Sequence, residues 1–303
     1  MLTLGAKDDG RVPMAKAEIA ALLALGAALF IAIGDVIHQR SAHEVTDETV
    51  SHLELFGRLL RDRRWWSGSL VAAVGFALQA AALGLGSVLL VQALLVTSLL
   101  FALPINARVS RRRVTRWEWL WAALLAAAVA VIVTVGNPTE GHSRASLETW
   151  TAVVLVLGPM LVVCVLVANV VTGPASAVLL GFVSGALWGV FAVLTKGVVD
   201  RLDDGLWALS RTPELYVWAL VAIGGTAYQQ ASFRAGSLTA SLPTMTVAEP
   251  VVGSVLGIVV LGEAMRPGDA GWFTLIVAVA VMVVATAALA RGEAVTASAK
   301  APA

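Results

Sequence analysis

Residues 76–92 read FALQAAALGLGSVLLVQ, and residues 226–242 read TAYQQASFRAGSLTASL. Laid side by side, Gln79 falls on Gln229, Ala81 on Ala231, Gly86 on Gly236 and Ser87 on Ser237. In each stretch one apolar run ends at a glycine and the next begins almost at once. So short a connection, around Gly84-Leu85-Gly86 or Ala235-Gly236, forces two helices to pack antiparallel as an αα-hairpin.

The likeness extends outward. Each hairpin is preceded by a long apolar span and followed by a polar stretch (Arg108 to Arg116; Gly262 to Asp269) and a final plain span. Ala28-Leu29-Phe30 matches Ala186-Leu187-Trp188, which puts His38 on Lys196. One block of four spans covers 17–135 and the other 176–290, with a spare span at 149–169 between them. Four crossings return the chain to its starting side and the fifth carries it across, so the second block enters upside down. The expected fold class is all-α integral membrane, about nine transmembrane helices in two inverted four-helix repeats joined by one linking helix. Inverted repeats with a site near the midplane are a common plan of secondary transporters.

Composition agrees. The chain has 303 residues, of which 58% are hydrophobic and only 14% charged. Soluble domains carry about 25% charged residues. The mean hydropathy of +0.84 excludes an ordinary soluble globule. The spans drawn from the sequence are 17–38, 66–85, 87–108, 117–135, 149–169, 176–199, 214–234, 237–261 and 271–290, each about the 20 residues needed to cross a bilayer. They read as helices because lipid offers no partner for exposed backbone groups. The start, with Asp8, Asp9 and Arg11, does not read as a cleaved signal peptide, so 1–16 is taken as a polar segment before the first retained span. Cys164 is the single cysteine, which excludes an intrachain disulfide. The tail 291–303 is small and polar and is expected to be disordered.

Lys and Arg set the orientation. One set of loops carries Arg40, Arg58, Arg61, Arg63, Arg64, Arg108, Arg111, Arg112, Arg113, Arg116, Arg234, Arg291 and Lys300. The opposite set carries Lys7, Arg11, Lys16, Arg144, Lys196, Arg201, Arg211 and Arg266. The larger set is placed in the cytoplasm, giving an outside N-terminus and a cytoplasmic C-terminus in a plasma (inner) membrane. In the cytoplasmic loop 41–64, Leu53, Phe56, Leu59 and Leu60 recur at helical spacing beside arginines, as in a helix lying on an anionic leaflet. Trp65, Trp66, Trp117, Trp119 and Trp121 stand at span starts as interfacial anchors.

The segment Leu238 to Glu263, with Thr246-Val247-Ala248-Glu249-Pro250-Val251-Val252-Gly253 and then Leu261-Gly262-Glu263, resembles the drug/metabolite transporter superfamily of the EamA type. In the first block Pro104 takes the place of that proline, and Arg111-Arg112-Arg113 stands where the glutamate would be. That form, with nine spans rather than ten, is similar to the NIPA-type branch, for which magnesium has been proposed as cargo. The resemblance implies a transporter fold that has lost its first helix.

Polar groups at membrane depth are costly and usually face the bundle interior. Glu249 is the leading candidate, halfway along its span and next to Pro250, which removes a backbone donor. A carboxylate there suits binding a cation or carrying a proton, against the plainer reading of a protonated group bonded to a neighbouring helix. Asp35 and His38 share a helix face as a proton relay, a gate or a satisfied pair. Gln79, Gln92, Tyr228, Gln229 and Gln230 form a polar band suited to a solute pathway or to helix–helix bonding. Lys196, at a span end, is expected to snorkel, and Arg234 to complement a helix terminus or meet an anionic solute. Gly181, Gly185 and Gly189, and again Gly253 and Gly257, form small-residue faces for close packing. Glu263 lies at a span edge and reads as structural.

Walker, Gly-x-Ser-x-Gly and His-Glu-x-x-His patterns are missing from the sequence. The leading expectation is therefore a non-enzymatic secondary transporter of a small solute, with proton coupling as an option and no cofactor. Lipid and a small-molecule or ionic solute are the expected partners, nucleic acid is not, and a homodimer fits the pattern. A divalent-cation carrier, using Glu249 and Asp35 as metal ligands, is the alternative. A membrane enzyme or scaffold comes after both.

Overall fold

A computed structural model of the chain describes residues 11–45, 63–109, 111, 113–235, 238–268 and 271–298. Its helices are α1 (Arg11–Val45), α2 (Arg63–Leu85), α3 (Val88–Leu95), α4 (Ser98–Val109), α5 (Arg116–Thr134), α6 (Leu147–Val170), α7 (Pro174–Leu202), α8 (Leu206–Ser210), α9 (Pro213–Ala235), α10 (Leu238–Leu261) and α11 (Gly271–Ser298). Two short strands, β1 (Pro138–Thr139) and β2 (Ala264–Met265), pair antiparallel. Among the described residues, seven helical stretches are long and apolar enough to cross a membrane. The chain is an all-α membrane protein.

Seven is fewer than the nine spans read from the sequence. Helix α2, Arg63–Leu85, covers the whole of the expected span 66–85, and α9 is not among the seven. Tyr228, Gln229, Gln230 and Arg234 interrupt the apolar run of α9. The limits also move. Helix α1 starts at Arg11 and runs on to Val45, so the end of the polar segment and the start of the predicted loop are helical. Helix α11 continues to Ser298, where a disordered tail was expected. Its last residues carry no proline, and the alanines among them favour the helix. The predicted loop helix around Leu53 to Leu60, the turn residues Gly236 and Ser237, and residues 299–303 lie outside the described residues.

Burial ranks the spans. The window of Val88–Val109 is 72% buried and that of Leu147–Val170 only 6%, so α3–α4 is the core of the bundle and α6 stands at its edge. Helix α1 packs on α2 and on α3–α4, while α7 packs on α9 and α10. Between these groups α3 packs on α10, α5 on α11, and α2 on α7. Two of these contacts, α3 with α10 and α5 with α11, join corresponding segments of the two blocks. A β-carbon added at Gly253 of α10 would meet Gln92 of α3, and one at Gly257 would meet Val88. Later residues of α10 therefore lie beside earlier residues of α3, and the two helices run antiparallel. Gly271 and Val135, at the start of α11 and just past the end of α5, are likewise neighbours, as are Gly292 and Glu118 at the opposite ends.

The glycine faces work by close approach. β-Carbons added at Gly185 and Gly189 would stand 2.8 Å from the Met245 carbonyl oxygen and 2.7 Å from the Gly253 nitrogen. Backbone atoms cannot swing aside as a side chain can, so α7 lies on α10 only because these positions lack side chains.

The connections gather at two ends of the bundle. The α2–α3 turn, residues 136–146, the end of α7 and the α10–α11 connection form the Glu263 end, where Arg144 pairs with Glu214 at 2.6 Å. The opposite, Arg116 end holds the start of α5, whose Thr115 and Glu118 form a reciprocal capping box, and the α6–α7 turn, where Ser176 Oγ donates to the Ala168 carbonyl at 2.9 Å.

Candidate functional site

The most buried span is broken. Helix α3 ends at Leu95 and α4 begins at Ser98, with Thr97 Oγ1 donating back to the Leu94 carbonyl oxygen at 2.5 Å. Its partner α10 is continuous through Pro243 and Pro250. A discontinuous helix at membrane depth is tolerated where it is enclosed by protein or lines a cavity.

Beside that break, Gln92 is 1% exposed and its Nε2 has no hydrogen-bond partner. A buried, unsatisfied donor costs about 1–3 kcal/mol. The amide rests on Gly253, where a β-carbon would stand 2.6 Å from Nε2. Glu249 lies one helical turn from Gly253 on the same face of α10, about 6 Å along the axis.

Packing between the two groups of helices changes at this level. On the α10 face that includes Glu249 and Gly253, Gly253, Leu256 and Val260 are buried, while Leu242, Thr246 and Glu249 are half-buried. On the broken span every residue of α3 is buried. In α4, by contrast, Leu100, Phe101, Ile105 and Asn106 are half-buried and Pro104 is exposed. The α3–α10 seam is therefore tight from Gly253 to the Glu263 end and looser from Glu249 toward the Arg116 end.

The tight end closes on charge. Glu263 is 2% exposed, and its carboxylate accepts from Val88 N at 2.7 Å and Leu89 N at 2.9 Å. Lys196 Nζ donates to Glu263 Oε1 at 3.1 Å and to the Gly86 carbonyl oxygen at 2.9 Å. Ser87 Oγ accepts from Leu90 N and the Ser87 carbonyl from Val91 N. Thus the first four N–H groups of α3, which have no partner within the helix, are all satisfied. The Leu261-Gly262-Glu263 sequence produces this geometry. Gly262 adopts φ 66°, which suits glycine, and the turn carries Glu263 back over Gly257 toward α3. Above it, His142 N donates to the Leu261 carbonyl at 2.6 Å.

This arrangement corrects two expectations. Lys196 does not snorkel to an interface; it is 5% exposed and ion-paired. Helix α7 runs on to Leu202, which leaves Lys196 inside the bundle beneath the α2–α3 turn. Glu263, read as lying at a span edge, lies inside the protein.

The other candidates are dispersed. Gln79 is buried in α2, while on α9 Tyr228 and Gln229 are half-buried and Gln230 and Arg234 exposed. Asp35 and His38 lie on α1, and their side chains fall outside the description. Near the level of Gly189, Phe76 stacks on Trp188 with ring centroids 5.8 Å apart, and Phe191 stacks on Trp218 at 5.0 Å. That aromatic ladder, the helix break and the buried pair were all missed in the sequence. The Leu-Gly-Glu motif was the available signal for the pair. Among the described residues, no group of three or more His, Cys, Asp or Glu side chains is placed to hold a metal ion.

The chain is 39% identical over 283 residues to a Corynebacterium glutamicum protein, "Uncharacterized protein Cgl0250/cg0304". The match covers 93% of this chain and 98% of the relative. The chain belongs to that protein's family. The family likeness therefore includes both groups of helices and the connections between them. No family model and no solved structure matches the chain.

Proposed function

We propose that this chain is a secondary transporter of the drug/metabolite type, an inverted-repeat carrier that moves a small solute by alternating access. The observation that carries the reading is the crossing of α3 and α10. A deeply buried, broken span presents an unpaired amide nitrogen, Gln92 Nε2, beside a helix that bears a carboxylate, Glu249, one turn away. Transporter sites lie near the midplane between repeats and use discontinuous helices. The antiparallel meeting of corresponding segments supports an inverted duplication.

In this reading the solute enters from the Arg116 end and reaches Glu249 and Gln92 beneath the seal. Glu249 binds the solute or the coupling proton, and Gln92 supplies a hydrogen-bond donor. The Arg116 end faces the cytoplasm in this reading, which the Arg-rich loops support. Flux into liposomes containing the purified protein, with a solute panel and an imposed pH gradient, tests the reading. Saturable flux of at least one solute is expected; no movement of any solute under any gradient would overturn it.

A further inference from the structure

We propose that the Lys196–Glu263 pair, seated on the first turn of α3, is the reversible gate of the Glu263 end. The inference rests on the transport reading above. The contact joins the two blocks: Gly86, Val88 and Leu89 come from the first, Lys196 and Glu263 from the second. It lies on the tight side of the Gln92–Gly253 crossing, between the candidate site and the connections at that end.

Its chemistry suits opening better than permanent closure. The Lys196 and Glu263 side chains are 6% and 0% exposed. Removing both charges from water offsets much of their attraction, so a buried pair seals a structure no better than apolar packing of the same volume. On separation, however, both charges regain hydration, whereas an opened apolar seal exposes surface that water disfavours. The two N–H groups of α3 held by Glu263 also pass to water. The carboxylate at a helix N-terminus is favoured further by the helix dipole. The closed state is thus specified by directed bonds that a small movement of the α10 end would exchange for water.

The test uses the full chain in liposomes with Cys164→Ser as background and a membrane-impermeant maleimide as probe. Val88→Cys reports on the gate, since Val88 is 0% exposed beside Gly257. Ile105→Cys, half-buried on α4, reports on the opposite end. Adding Glu263→Gln or Lys196→Met should raise labelling of Val88→Cys from its own side at least about tenfold, and lower that of Ile105→Cys. The exchanged pair Lys196→Glu/Glu263→Lys should fail to restore slow labelling, because an ammonium cannot accept from the α3 N–H groups. Glu263→Gln keeps an acceptor oxygen and the same shape, so one variant remains if the others do not fold. Unchanged labelling at Val88→Cys or equal rises at both sites would overturn the gate, and rescue by the exchanged pair would overturn the part assigned to the α3 N–H groups. The expected labelling changes without flux of any solute would leave the gate and overturn the transport reading.

Discussion

The Nε2 of Gln92 stands only 2.6 Å from where a β-carbon on Gly253 would be, closer than the two could pack. The two residues are 161 positions apart in the chain and belong to helices of opposite direction. Their contact sets how closely α3 approaches α10, at the level where the packing between them loosens. Gly253→Val should push the helices apart, with a loss of about 1–3 kcal/mol from overpacking. Thermal unfolding in detergent would register the loss, and a Gln92→Ala/Gly253→Val double variant should recover part of it.

Gly189 tests the other side of α10. Its missing side chain leaves room for the Gly253 nitrogen at 2.7 Å and the Glu249 carbonyl oxygen at 2.9 Å, and neither can rotate away. Gly189→Leu should therefore destabilise the fold by several kcal/mol or prevent folding, the upper range of single substitutions. Gly158, whose missing side chain meets only Val154 at 3.9 Å, should accept alanine with little change. Expression and melting temperature compared across the two variants would check this.

Lys196 and Glu263 should be coupled energetically. Lys196→Met leaves a buried carboxylate without its cation, and breaking such a pair costs about 3–5 kcal/mol. Lys196→Met/Glu263→Gln removes both charges and should lose less than the single lysine variant. A double-mutant cycle by thermal unfolding gives the coupling; strict additivity would show that the two charges do not sense each other.

Thr115 offers a substitution away from the candidate site. Its hydroxyl accepts from Glu118 N at 3.2 Å, and Glu118 Oε2 accepts from Thr115 N at 2.7 Å, both at an exposed helix start. Thr115→Ala should cost about 1 kcal/mol of stability and leave solute flux unchanged. A flux loss as large as that of Glu249→Gln would place the α5 start in the transport path.

Much of this fold is legible in the sequence because lipid restricts backbone choices. Apolar length gives the spans, Gly86 gives the tight turn, and the spacing of Gly181, Gly185 and Gly189 gives the face laid on α10. The break at Val96–Thr97 leaves little trace, since valine, threonine and serine occur freely inside helices and only the surroundings stop this one. The Lys196–Glu263 pair is hidden for another reason: its members sit 67 residues apart, and each alone looks like the polar end of a span. Only the turn at Gly262 and the extension of α7 bring them together. Of the candidate residues, Gln92 could be named from its depth, but its unpaired state depends on Gly253 far along the chain.

In the proposed function Glu249 serves the solute path at the α3–α10 crossing. The most direct measurement is initial flux in liposomes of the best solute from the panel, comparing the unaltered chain with Glu249→Gln at matched protein density and melting temperature. Loss of a charged hydrogen-bonding group worth about 1.5–3 kcal/mol predicts a fall of roughly ten- to a hundredfold in flux. Flux by Glu249→Gln at the unaltered rate, with the same dependence on the pH gradient, would remove Glu249 from the solute path.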